Sequence, residues 1–188
     1  VLGVPLGPVA GFWSGPLERV LTLAMDSLYS FPGLILAIAI ASVLGPGLFN
    51  VVLAIATLYV PTYYRIVRGQ TLAIKESLYV EAARSLGAHP LSILGRYILP
   101  NVIPSLVVIF SVNVADAILT EAGLAFLGLG LPPDTPDWGI DLAGGQDFMR
   151  QAWWVITFPG VMITMVTLAF SMLGESLSEI LNPRVAEE

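Results

Sequence analysis

A single stretch of 38 residues, 27–64, contains no charged side chain. As one α-helix it would extend about 57 Å, roughly twice the 30 Å thickness of a bilayer's hydrocarbon core. The stretch must therefore turn back on itself, and the segment Gly45–Asn50, GPGLFN, supplies the Gly and Pro residues that interrupt helices. The pattern predicts two membrane spans, near residues 26–44 and 48–66.

Composition supports a membrane location for the rest of the chain. Hydrophobic residues make up 56% of the sequence and charged residues only 12%, which is outside the usual range of soluble globular domains. Further spans are predicted near residues 98–120 and 151–173. The apolar segment 122–133, AGLAFLGLGLPP, is too short to cross and is predicted to be interfacial or re-entrant.

These patterns predict an all-α polytopic membrane protein with about four full transmembrane helices and part of another. Residues 1–11 are interpreted as the end of an earlier span, and the whole chain, 1–188, as one transmembrane domain. The first residue is Val rather than Met and it opens an apolar segment, so we expect an N-terminal part to be missing.

The charged residues predict which loops face the cytoplasm. Positively charged loops stay on the cytoplasmic side of a membrane. The loop of about 67–97 and the end of the span before it hold most of the basic residues, whereas the loop of about 131–150 is acidic. The first loop is therefore predicted to be cytoplasmic and the second to face outside. The residues concerned are Arg65, Arg68, Lys75, Arg84 and Arg96 in the first group, and Asp134, Asp137, Asp141 and Asp147 in the second.

Residue counts exclude several classes of function. The net charge of −6, with only eight Lys and Arg residues, argues against a nucleic-acid partner, which needs a basic surface. The chain has no cysteine and one histidine, His89, so a two-histidine metal motif is impossible, and His89 is expected to be a solvated loop residue. The only lysine, Lys75, is not part of a phosphate-binding loop. We predict no metal, no cofactor and no enzymatic activity in this chain.

The segment 81–100, EAARSLGAHPLSILGRYILP, brings several charges into a largely apolar protein. A helix through 75–86 would be amphipathic. Gly87 fits the left-handed position that ends a helix, and Pro90 fits the first turn of the next helix. The pattern predicts a helical hairpin, which either rests on the lipid headgroups or is held by another protein. The predicted polar face consists of Ser77, Glu81, Arg84 and Ser85, and the predicted apolar face of Tyr79, Ala82, Ala83 and Leu86.

This segment resembles the EAA motif of bacterial ABC-importer permeases. In that motif Glu-Ala-Ala is followed after three residues by Gly and after nine more by Ile-x-Leu-Pro; Tyr97 replaces the Ile. Blocks along nearly the whole chain are also similar to the peptide/nickel subfamily, to the second of its two paired permease subunits, and they match roughly the last five of its six spans. The matching motif residues are Glu81, Ala82, Ala83, Gly87, Leu99 and Pro100.

The resemblance implies a function for these residues. In such permeases the helix around the Glu-Ala-Ala motif docks into a cytoplasmic ATP-hydrolysing subunit. The resemblance further implies a second permease subunit, an extracytoplasmic solute-binding protein and a multi-pass location in the bacterial cytoplasmic (inner) membrane. The expected function is that of a permease subunit importing di- or oligopeptides, although nickel or another small solute fits the same pattern.

Two carboxylates of the third predicted span, Asp116 and Glu121, leave alternatives open. Charged side chains within spans are costly and usually face a cavity or a partner. Asp116 either lines the pathway, for example by meeting the amino terminus of a peptide, or forms a hydrogen bond between helices, whereas Glu121 is a further pathway candidate close to the membrane interface. A proton-coupled secondary transporter or channel using both residues is the alternative function. An inactive structural partner or a truncated gene product is a third.

Overall fold

The computed structural model describes residues 2–181, and within this range it is built from α-helices without any strand. A π-helical turn, Leu94–Ile98, joins the helices Pro90–Ile93 and Leu99–Phe126 without interruption, and a 3-10 turn, Gln146–Phe148, follows the helix Trp138–Gly145. The predicted all-α fold class is confirmed. The helices are α1 Gly3–Phe12, α2 Pro16–Tyr29, α3 Gly33–Leu44, α4 Leu48–Lys75, α5 Leu78–Ser85, α6 Pro90–Ile93, α7 Leu99–Phe126, α8 Trp138–Gly145 and α9 Trp154–Leu181.

Within residues 2–181, three helical segments are long and apolar enough to cross a membrane. They are Leu48–Lys75, Pro90–Phe126 and Trp154–Leu181, and the pair α2 and α3 makes a fourth if it is counted as one broken span. The length and composition of these helices confirm the predicted polytopic membrane architecture.

Two predicted boundaries need correction. The span predicted at 26–44 is interrupted, because α2 ends at Tyr29 and α3 begins at Gly33. Pro32 lies just before α3 in an extended conformation, and proline cannot donate the hydrogen bond that would continue α2. The segment predicted at 122–133 is not a separate piece, since its first five residues complete α7.

The described residues divide into two compact units. The first lies within Val1–Phe31 and Leu58–Val107, and the second within Pro32–Thr57 and Val108–Glu188.

In the first unit, α1 packs closely on α4 through a stripe of glycines. A Cβ atom added to Gly7 would lie 2.7 Å from the Cβ of Val67 and 3.0 Å from the Tyr64 carbonyl oxygen. Real Cβ atoms do not approach other atoms so closely, so only glycine allows this helix separation. Small residues spaced by four are a common device for packing helices in membranes. The stripe consists of Gly3, Gly7 and Gly11, all buried.

Polar contacts join α2 to α4 within the same unit. Arg68 is paired with Glu18, and Nη2 of Arg65 lies 2.7 Å from Oδ1 of Asp26. At the end of α4, the Lys75 ammonium donates to the Gly11 carbonyl and to the Ser14 hydroxyl, both at 2.9 Å. Basic residues that the sequence analysis used to orient the chain therefore also have structural partners.

In the second unit, α7 ends at a turn that depends on Gly128. Its φ is +76°, and the amides of Gly128 and Leu129 donate to the carbonyls of Ala125 and Leu124, at 2.9 and 2.8 Å. This is the Schellman arrangement, in which a left-handed glycine satisfies the last carbonyls of a helix. After the turn the chain lies close to α7, since a Cβ atom on Gly130 would lie 2.7 Å from the Cβ of Ala125.

The start of α8 is fixed by its capping residue, Asp137. Oδ1 of Asp137 accepts hydrogen bonds from the amides of Gly139 and Ile140, at 2.7 and 3.1 Å. A Cβ atom on Gly139 would lie 2.7 Å from the Cβ of Ala125, so α8 packs tightly against α7. The cap and the close contact together position the segment after α7.

We expect Asp137→Ala to destabilise α8, because two amides lose their acceptor. The loss of such a cap costs about 1 kcal/mol, with a range of roughly 0.5–2. Hydrogen exchange of the Gly139 and Ile140 amides should be roughly fivefold faster in this variant. Asp137→Asn is the matched control, since asparagine retains an acceptor but removes the charge, and its exchange should stay close to that of the parent. Equal acceleration in both variants would show that the charge, rather than the cap, holds the helix.

Candidate functional site

The hairpin formed by α5, α6 and the turn between them is the candidate site. At the end of α5, Gly87 has φ +79°. The amides of Gly87 and Ala88 donate to the carbonyls of Arg84 and Ala83, both at 3.0 Å. This second Schellman arrangement confirms the predicted role of Gly87 as the residue that ends the helix.

The second arm of the hairpin begins at Pro90, as predicted. His89 caps it, because its Nδ1 accepts a hydrogen bond from the Leu91 amide at 3.3 Å. His89 is exposed, in agreement with the expectation of a solvated loop residue, but it also has this structural role. Proline suits the first helical turn, where no intrahelical partner is lost.

The helix predicted over 75–86 is shorter in the structure. Lys75 is the last residue of α4, and α5 begins only at Leu78. Ser77, between them, is extended and its hydroxyl donates to the Ile74 carbonyl at 2.6 Å, while its own carbonyl accepts from the Val80 and Glu81 amides. A serine side chain that bonds nearby backbone favours such breaks over continued helix.

A cluster of fully buried side chains anchors the hairpin. Its members come from α4, α5, α6, the π-helical turn and α7, so both arms of the hairpin pack together with two membrane-spanning helices. Burial of each large aliphatic side chain contributes about 1.5–3 kcal/mol. The hairpin is therefore attached to α4 and α7 as a packed body. The anchor cluster consists of Val67, Val80, Ile93, Ile98 and Val102.

The outward face of the hairpin exposes large apolar side chains, and the charged residues Glu81 and Arg84 are exposed beside them. Leu78 is 83% exposed and Leu86 89% exposed, and Tyr79 and Leu91 are also exposed. Contiguous exposed apolar side chains on a soluble loop commonly mark an interaction surface. The predicted apolar face is partly wrong, because Ala83 turns inward with Val80, which the sequence analysis had not assigned to that face.

The predicted motif residues lie on both arms of the hairpin and at its base. Glu81, Ala82 and Gly87 are exposed near the outward face, whereas Ala83 is buried. Leu99 and Pro100 form the first turn of α7, directly after the π-helical turn. Because proline lacks an amide hydrogen and crowds the carbonyl four residues before it, we attribute the widened turn to Pro100. The Leu99 amide donates to the Leu94 carbonyl instead.

The anchor cluster was not predicted from the sequence. Its signal was the recurrence of apolar residues every four or five positions through α6, the π-helical turn and α7, at Ile93, Ile98 and Val102. Such short patterns are masked when the flanking sequence is apolar throughout.

Asp116 and Glu121 lie on different sides of α7. Five residues correspond to a rotation of about 140° around a helix. Asp116 is exposed on α7, whereas Glu121 is half-buried next to the Asp137 carboxyl. Oε1 of Glu121 is buried and has no hydrogen-bond partner within residues 2–181. In this described range no group of three or more His, Cys, Asp or Glu residues could hold a metal ion.

Several helices of membrane-spanning length, together with an anchored helical hairpin, define a polytopic membrane protein. The chain belongs to the family described as binding-protein-dependent transport system inner membrane component, whose model matches residues 3–187. Membership of this family confirms the predicted resemblance to ABC-importer permeases of the peptide family.

Curated relatives carry transport names. The chain is 42% identical over 185 residues to the glutathione transport system permease protein GsiD of Pectobacterium atrosepticum, covering 98% of the chain and 62% of the relative. It is 42% identical over 188 residues to a putative peptide transport system permease protein of Brucella suis biovar 1, covering 100% of the chain and 63% of the relative. The chain thus spans less than two thirds of these relatives, which are permease proteins and not enzymes.

Proposed function

We propose that this chain is the permease subunit of an ATP-driven importer, that it forms part of a pathway for di- or oligopeptides, and that the hairpin couples it to a separate ATPase subunit. The observation that carries the proposal is the division of the hairpin into two faces. Val80 and Ile93 are buried against the spans, whereas Leu78 and Leu86 point outward without a partner in the described residues. A partner that binds the outward face of the hairpin can move the spans, because the buried face of the hairpin packs against them.

The anchor cluster gives this coupling a physical route. Side chains from α4 and α7 belong to the same buried core as the hairpin, so a displacement of α5 costs contact energy unless both helices follow. Helix α1 is attached to α4 as well, through the glycine stripe and the hydrogen bond from Lys75 to the Gly11 carbonyl. The energy must come from a partner, because the sequence has no phosphate-binding loop.

Other partners follow from the same proposal. The hairpin would face the cytoplasm, where the ATPase subunits are, in the bacterial inner membrane. A second permease subunit would complete the pathway, and an extracytoplasmic solute-binding protein would meet the acidic loop of about 131–150. Relatives named for peptide and glutathione transport favour a peptide substrate over nickel. Asp116 and Glu121 are candidates for lining the pathway.

The coupling is tested by co-purification of the full-length gene product with the ATPase subunit encoded beside it. We expect Leu86→Glu and Glu81→Lys to reduce the recovered ATPase at least tenfold, because the first introduces a charge on the outward face and the second reverses one there. One buried unpaired charge at an interface costs about 2–5 kcal/mol. The membrane domain should retain its elution volume and its thermal midpoint.

Met149→Glu is the matched control. Met149 is also an exposed apolar residue, but it lies in the loop predicted to face outside. This variant should recover as much ATPase as the parent protein. If the ATPase is recovered equally with all variants, the hairpin is not the docking surface, and a proton-coupled transporter using Asp116 or Glu121 becomes the better explanation.

A further inference from the structure

Helix α2 presents two faces of different chemistry. One face is directed at α4 and contains Glu18, Thr22 and Met25, and Asp26 lies at its edge. Each of these residues has a partner on α4. Glu18 pairs with Arg68, Asp26 pairs with Arg65, the Thr22 hydroxyl lies 2.8 Å from that of Tyr64, and Met25 packs with Tyr64.

The opposite face of α2 is exposed and almost wholly apolar. Val20 is 65% exposed and Leu23 is 71% exposed, and Ala24, one turn after Val20, is also exposed. Ser27 continues this face, but its hydroxyl donates to the Leu23 carbonyl at 2.8 Å and so has no hydrogen left to donate to a partner. A helix with this distribution is typical of segments that lie in the membrane interface.

Arg19 borders this apolar face, one helical turn before Leu23. It is exposed, and within residues 2–181 no ion pair involves it, although the two arginines of α4 that face α2 are both paired. A guanidinium forms bidentate hydrogen bonds with phosphate oxygens. The face therefore combines apolar surface with one unpaired cation at its edge.

The level at which α2 meets α4 indicates where this face lies. The contacts between α2 and α4 involve residues 18–26 of α2, which is more than two helical turns. On α4 the same contacts fall within residues 64–68, which is about one turn, so α2 runs across α4 and not along it. Tyr64 ends the uncharged stretch 27–64, and Arg65 is the first charged residue after it. Helix α2 thus crosses α4 where this span passes from apolar to charged sequence, which is the depth of the lipid headgroups.

We propose that α2 lies in the plane of the membrane surface on the hairpin's side of the bilayer, with Val20 and Leu23 among the acyl chains and Arg19 bound to the phosphate of an anionic phospholipid. A protein partner is less well matched, because protein interfaces carry about one hydrogen bond per 100–200 Å² and this face offers only one side-chain donor group, Arg19. The proposal is independent of the peptide substrate and of the ATPase.

The absence of cysteine from the sequence allows a direct test. Val20→Cys and Leu23→Cys in the full-length gene product are labelled with a nitroxide and placed in vesicles of phosphatidylcholine and phosphatidylglycerol. Power saturation then compares collisions with oxygen, which is concentrated in lipid, and with a nickel chelate, which stays in water. We expect strong oxygen broadening and protection from nickel at both positions. Leu86→Cys, on the exposed outward face of the hairpin, is the matched control and should be accessible to nickel.

Either other pattern overturns the proposal. Nickel access at Val20→Cys and Leu23→Cys would place the face in water, and protection from both reagents would show that protein covers it. A second measurement tests Arg19. Arg19→Gln should lower the phosphatidylglycerol that co-purifies with the protein about fivefold, and Arg19→Lys should restore most of it, with phosphatidylcholine unchanged. Unchanged phosphatidylglycerol in Arg19→Gln would remove Arg19 from the site.

Discussion

Gly7→Leu is expected to abolish the packing of α1 on α4 and to sharply reduce the amount of folded protein. Even the first carbon of the new side chain would lie 2.7 Å from the Cβ of Val67 and 3.0 Å from the Tyr64 carbonyl, which is backbone and cannot rotate away. Overpacking costs about 1–3 kcal/mol where side chains can yield, and more where they cannot. Separation of the helices would also break the bonds from Lys75 to the Gly11 carbonyl and the Ser14 hydroxyl.

The measurement is the yield and thermal midpoint of the full-length gene product in detergent, followed by size-exclusion chromatography. Gly69→Leu is the matched control, because Gly69 lies within α4 and no atom comes within 4 Å of the position of its Cβ. Leucine is a better helix former than glycine by roughly 0.8 kcal/mol, so this variant should be as stable as the parent or more so. Similar losses in both variants would mean that the close approach of α1 is not essential.

The membrane class could be predicted from the sequence because the bilayer imposes one strong rule. Within lipid, the backbone polar groups of an uncharged stretch such as 27–64 can form their hydrogen bonds only in helices, and the bilayer thickness limits the length of each helix. The turn at Gly87 was predictable for a similar reason, since a left-handed backbone position strongly favours glycine. In both cases a local sequence pattern is compatible with only one kind of backbone structure.

The rest depends on contacts that a local pattern does not specify. The helix break at Pro32 could not be told from a kink, because neighbouring helices tolerate many prolines within spans. The glycine stripe at Gly3, Gly7 and Gly11 has a recognisable spacing, but its partner on α4 is distant in sequence. The predicted apolar face of α5 included Ala82 and omitted Val80, since both residues are apolar and only the tertiary packing selects Val80.

Gly87→Val is expected to weaken binding of the ATPase subunit roughly tenfold or more while leaving the membrane domain folded. A left-handed conformation costs an L-residue about 1–2 kcal/mol, and more if it is β-branched. The turn can avoid this cost only by giving up the two hydrogen bonds to Arg84 and Ala83, which set the angle between the arms of the hairpin. No atom lies within 4 Å of the added Cβ, so the effect is one of backbone conformation and not of crowding.

Gly87→Asn separates conformation from side-chain identity. Asparagine adopts the left-handed region more readily than other non-glycine residues, so this variant should bind the ATPase within about threefold of the parent. Affinity is measured by titrating the ATPase subunit onto the full-length gene product in nanodiscs, and uptake of a dipeptide by the assembled importer should fall in the same order. If valine binds as well as glycine, the partner does not depend on the hairpin angle. Coupling through the anchor cluster at Val80 and Ile93 would then require that the ATPase subunit binds α5 alone. The Schellman turn would serve only the stability of the hairpin.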